Sequence, residues 1–147
     1  MRVNIVRVKR GRARTQGRAQ RHRKGNRTTE TIYSPLLMRE LLYNAAKHYK
    51  KGKAMADRGD VRAAMAAFEA ALSDLHAVKP QRMRDVLLAQ VYLSRYQCSN
   101  RSDPRRAAGD LRRGYSYART TMEPSVRQLA DELWEEHLAT RRTATSG

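Results

Sequence analysis

Cysteine is almost missing from this chain, with Cys98 as its one example. A lone cysteine excludes an internal disulfide and a four-cysteine zinc site, and makes a reducing compartment the natural expectation. Phenylalanine and tryptophan also occur once each, as Phe68 and Trp134, and the aromatic signature of an RRM sheet is absent. No run of about 18 apolar residues is available to cross a membrane. The N-terminus lacks the apolar block of a secretory signal, so a soluble, intracellular protein with no membrane partner is expected.

Acid is missing from one end. The first 29 residues contain no Asp or Glu, and Glu30 is the first carboxylate. The same stretch holds Arg2, Arg7, Lys9, Arg10, Arg12, Arg14, Arg18, Arg21, Arg23, Lys24 and Arg27. Such a segment has too little apolar surface to offset its ordering entropy, and its like charges repel. Its natural counter-surface is a polyanion, because neutralising phosphates releases condensed counterions. A mitochondrial transit peptide is also basic, but such peptides are Ser-rich and amphipathic, and here no Ser or Leu precedes Ser34. Val3, Ile5, Val6 and Val8 could form a short strand or lie extended on RNA; from Gly11 to Arg27 no period survives, which predicts a flexible arm over residues 1–33.

The rest of the 147-residue chain is basic as well: of 31 Lys and Arg, eleven lie in the first 29 residues, leaving 20 against 14 acids. Ordered structure is expected from Ser34-Pro35, where a hydroxyl can cap free amides and proline occupies the first helical position. Leu37, Glu40, Leu41, Asn44, Ala45, His48 and Tyr49 recur at helical spacing, and Gly59-Asp60 ends that helix and opens the next. From Val61 to Ala77, Ala64, Phe68, Ala71, Leu72 and Leu75 share one face. Met83, Leu87, Val91 and Ser94 trace one side of a third helix ending near Cys98. Asp103-Pro104 starts a fourth helix to about Thr120, and Glu123-Pro124-Ser125 a fifth to about Arg141. The expected organisation is an all-α domain over residues 34–141, followed by a frayed tail over 142–147.

The helix pairs are similar to each other. Gly52, Gly59, Ala64, Phe68 and Ala71 together resemble a tetratricopeptide (TPR) repeat, with a small residue in helix A, a turn glycine and an A-x3-F-x2-A series in helix B. A second set, Ala107, Leu111 and Gly114, keeps the spacing, with Arg95 at the small-residue position. The helix from Pro124, with Val126, Leu129, Leu133, Trp134 and Leu138 apolar and Asp131, Glu132, Glu135 and Glu136 between them, looks like the solvating cap of such an array. The resemblance spans about residues 45–141 and implies TPR-like antiparallel hairpins whose groove takes protein partners. Another α-helical bundle is the alternative.

Residues for catalysis are sparse. His22, His48, His76 and His137 have no neighbouring His, Cys or Asp at metal-ligand spacing, and no P-loop, G-x-G-x-x-G, H-E-x-x-H or nucleophile elbow is present. A non-enzyme without cofactor or metal is expected. Paired acids near the C-terminus read as a solvated face, and Phe68, Met65 and Trp134 as core. Basic residues of the body form stripes: Lys50 with Lys53, and Arg105 with Arg112 beside Arg106 with Arg113, placed to track a phosphate backbone. Tyr49, Tyr96, Tyr115 and Tyr117 could supply stacking faces beside them. The leading expectation is an RNA-binding component of a ribonucleoprotein, ribosomal or ribosome-associated. The alternatives are a viral or phage nucleocapsid packaging protein and a TPR-like adaptor using Lys53 on an acidic peptide.

Overall fold

The computed structural model describes residues 34–146. The arm, its cations and the short strand expected near Val3 lie outside the described residues. Within those residues the chain is all-α, with no strand. Five helices follow one another: α1 Pro35–Asp57, α2 Val61–His76, α3 Arg82–Ser99, α4 Pro104–Thr120 and α5 Pro124–Thr145.

The boundaries have local causes. Pro35, Pro104 and Pro124 each open a helix, where a missing N–H costs nothing and φ is already helical. The carboxylates of Asp60 and Asp103 accept bonds from the amides of Ala63 at 3.1 Å and Arg106 at 3.3 Å. Ser34 does not cap with its hydroxyl as expected; its backbone carbonyl accepts from the Met38 amide at 2.9 Å instead. At the end of α1, Gly59 has a φ of 80°, the Asp60 amide donates to the Met55 carbonyl and the Gly59 amide to that of Ala56. That pair of bonds is a Schellman motif, and it turns the chain within three residues.

α5 runs past Arg141 to Thr145, so residues 142–145, expected as frayed tail, are helical. No proline or glycine interrupts this stretch before Gly147. The hydroxyls of Thr140, Thr143 and Thr145 bond to carbonyls one turn back.

Packing places α3 at the centre. One core joins α1, α2 and α3 through Ala45, Phe68, Leu72, Leu75, Leu88 and Val91; a second joins α3, α4 and α5 through Leu93, Tyr96, Leu111, Ala118, Val126 and Leu133. α3 is therefore buried on most of its circumference between Leu87 and Tyr96, as expected of a helix flanked on both sides. The single-sided stripe expected for it was too narrow, and Met83 stands 56% exposed before the packed stretch begins. On α1 the buried line is Met38, Ala45 and Gly52, while Leu37 and Asn44 face outward.

Three helices share one layer. The side chain of Gln81 reaches Met38 and Arg82 pairs with Glu123, so α1, α3 and α5 begin side by side. Farther along, Ser94 meets Tyr49, and Tyr96 meets His137. Starts pair with starts and middles with middles, so the three helices run parallel. α2 and α4, joined to them by short turns, return antiparallel behind. Each hairpin closes on a glycine: a Cβ on Gly52 would strike the Phe68 ring, and one on Gly114 would lie 2.8 Å from Leu93 Cδ2. The corresponding positions Ala64 and Ala107, Phe68 and Leu111, and Ala71 and Gly114 recur at a constant spacing of 43 residues.

Candidate nucleic-acid interface

The repeat breaks where charge enters the core. In the first hairpin Gly52 lies against Phe68; 43 residues later the equivalent of Gly52 is Arg95. Its guanidinium forms a two-pronged pair with Asp110, Nε to Oδ2 at 2.8 Å and Nη2 to Oδ1 at 2.7 Å. The Asp110 side chain is 0% exposed and that of Arg95 12%. Hydrogen bonding to Asp110, outweighing burial, holds the guanidinium of Arg95 still more firmly protonated. Arg113 approaches the same carboxylate at 3.8 Å, and both arginines lie over the ring of Tyr92. This cluster is internal structure, the position where α3 and α4 of the second hairpin are cross-linked.

That assignment divides the expected basic stripes. Arg113 is turned toward Asp110 and Tyr92, and Arg106 pairs with Glu69 of α2 at 3.0 Å. Lys50, Lys53, Arg105 and Arg112 are exposed and have no ion-pair partner among the described residues. Lys53 lies near Cys98, whose thiol burial pushes up while Lys53 draws it down. Of the expected stripes, the four basic side chains left to solvent thus sit on α1 and α4.

The expected stacking tyrosines are largely occupied. Tyr96 is buried, with its ring edge-on to His137. Tyr49 lies against Phe68, Tyr117 stacks on Tyr92, and Tyr115 stacks on Trp134 at 5.0 Å. Among the described residues the aromatic that does face outward is Tyr43 on α1, with the Lys47 ammonium 5.5 Å from its ring centre. The three- and four-residue spacing that marks helix faces could have found it. Tyr43 lies two residues before Ala45, on the opposite side of α1 from the buried line.

Sequence reasoning also passed over a cleft of about 400 Å³ between the α3–α4 corner and the C-terminal half of α5. Tyr96, Asn100, Arg101 and Pro104 form one wall, and His137, Thr140 and Arg141 the other. The His137 imidazole is held below its ordinary value by burial first, then by Arg141 and Arg112. Arg101 and Arg141 are separated by 40 residues in sequence, and only the parallel register of α3 and α5 brings them to one opening.

Elsewhere, His76 Nε2 and Tyr92 Oη are 3.0 Å apart, and His48 faces Asp74 at 3.6 Å. No group of three His, Cys, Asp or Glu side chains able to hold a metal occurs among the described residues, and no helix there is long and apolar enough to cross a membrane. No protein-family model, curated protein or solved structure matches the chain.

Proposed function

We propose that this protein is a non-enzymatic, architectural nucleic-acid binder, an RNA-binding part of a ribonucleoprotein of ribosomal or ribosome-associated type, working in a reducing compartment. The observation that carries the reading is the N-terminal stretch of 29 residues with eleven cations and no acid. Arginine suits phosphate through its planar fork, and a segment of this composition gains order by neutralising a polyanion. The exposed Lys50 and Lys53 on α1, and Arg105 and Arg112 on α4, add further, weaker basic positions on the body. Recognition by backbone and shape follows from this chemistry, with no base-reading element.

Salt dependence tests it. With six to eleven phosphates neutralised, log affinity for single-stranded RNA should fall with log salt at a slope of roughly −4 to −8. The full chain with its eleven arm cations changed to Gln should lose most of that slope; an unchanged slope refutes the reading. Purification from the native source with separate RNase and DNase treatment then names the partner. Ribosomal RNA lost at high salt supports the ribosomal assignment, whereas nuclease-insensitive protein partners would move the function to an adaptor.

The TPR-like reading of the hairpins stands as a proposal on their packing positions, Gly52 on Phe68 and Gly114 on Leu93. The 43-residue spacing exceeds the roughly 34 residues of a TPR unit, which makes this a longer-helix relative of that arrangement.

A further inference from the structure

The cleft between the α3–α4 corner and α5 has the chemistry of an anion site. Its two walls offer guanidinium groups from Arg101 and Arg141, an amide from Asn100 and an imidazole from His137, and no carboxylate lines it. Neither Arg101 nor Arg141 has an ion-pair partner among the described residues. Arg142 is tied back to the Leu138 carbonyl of its own helix, and Thr140 to that of Glu136. The N-terminus of α4 borders the opening at Pro104, adding the positive end of a helix dipole. The nearest acid of that turn, Asp103, is engaged in capping the Arg106 amide.

We infer that this cleft holds a phosphate group of the bound nucleic acid, gripped between Arg101 and Arg141 with His137 beneath it. The inference rests on the nucleic-acid reading and deepens it by giving the helical body its own phosphate contact, separate from the arm. Two arginines on one opening, one from the α3–α4 turn and one from α5, distinguish this place from a solvated charge. Forked N–H donors carried on opposite walls suit the oxygens of a phosphodiester, and a cavity of about 400 Å³ admits a phosphate with its attached sugar. At neutral pH the imidazole is uncharged, because burial, Arg141 and Arg112 all disfavour its cation. A phosphate seated there opposes that field, so the His137 titration midpoint rises on binding and reports occupancy.

The test uses the full chain, with the His137 ring resonances followed by NMR during titration with inorganic phosphate and, separately, with a ten-nucleotide single-stranded RNA. Both ligands should shift His137 saturably and raise its titration midpoint. Arg101→Gln with Arg141→Gln should abolish the shift and lower the RNA salt slope by about 0.7, the value for one phosphate on a single strand, a loss of roughly 5-fold at 0.1 M salt relative to a 1 M reference. Arg127→Gln, which removes an exposed charge elsewhere on α5, should leave the His137 response intact. RNA that binds while His137 stays unmoved overturns the cleft and leaves the arm reading standing. A response to phosphate that needs both arginines, in a chain that does not bind RNA, supports the phosphate site and counts against the nucleic-acid reading. An unaltered response in the double variant overturns the site outright.

Discussion

Truncating Asp110 should be among the costliest single changes in the helical body. Its carboxylate is fully buried, accepts two short charge-assisted bonds from Arg95 and faces Arg113 at 3.8 Å. Asp110→Ala leaves the 12%-exposed Arg95 guanidinium without its acceptor and beside a second cation. Breaking a buried pair in this way costs about 3–5 kcal/mol, against a total of about 5–15 kcal/mol for a domain of this kind. Unfolding entropy of about 2.1 cal/mol/K per residue makes each kcal/mol worth about 4 °C in a body of this size, so Tm should fall by about 12–20 °C. Urea denaturation followed by circular dichroism gives the same quantity directly. The companion variant, Arg95→Met with Asp110→Leu, replaces the pair by apolar packing and should return to within about 1 kcal/mol of wild type. A cost below about 1 kcal/mol for Asp110→Ala, or a double variant no better than the single one, would refute the view that this pair cross-links the second hairpin.

Three further outcomes follow from named contacts. On α4, Gly114→Ala should destabilise by about 1–2 kcal/mol, because its Cβ would meet buried Leu93 and the Leu93 backbone at 3.2 Å. Gly109→Ala on the same helix should stabilise by about 0.5–1 kcal/mol, since its Cβ meets the flexible end of Arg113; paired urea titrations compare them. Burial and then neighbouring arginines hold His76 and His137 below the ordinary histidine value in the folded state. Their stability contribution is complete above about pH 6.5 and is lost as pH falls below it, so Tm should decline from pH 7.5 to 5.5. His76→Gln and His137→Gln should each flatten that decline, and an unchanged pH profile in both would contradict it. Cys98 should react with a thiol reagent at pH 7.5 more slowly than an unfolded control, and Lys53→Gln should slow it again, because burial raises the thiol while Lys53 opposes it.

Much of the fold was legible in local chemistry. Proline at the first helical position, the Asp60 and Asp103 caps and the Gly59 turn are signals contained within a few residues, so they survive without tertiary context. The apolar face of α2 was legible for the same reason, since that helix buries one side and the period shows it. α3 was misread because periodicity assumes one buried face, and a helix between two cores has nearly none to spare for solvent. The extent of α5 was missed because its last turns are polar and carry no periodic signal.

The sequence by itself determined the basic, acid-free end, the helical hairpins and their small-residue contacts, because charge composition and short-range sterics are properties of neighbours along the chain. The tertiary structure alone decided which cations remain available. Arg95 and Arg106 are engaged by Asp110 and Glu69, which lie elsewhere in sequence, while Arg101 and Arg141 are brought to one cleft. An arginine looks the same in the sequence whether it is paired or open. Only the packing of the helices on one another sets its distance to an acid, and that distance decides whether its charge is spent inside the fold or presented to a ligand.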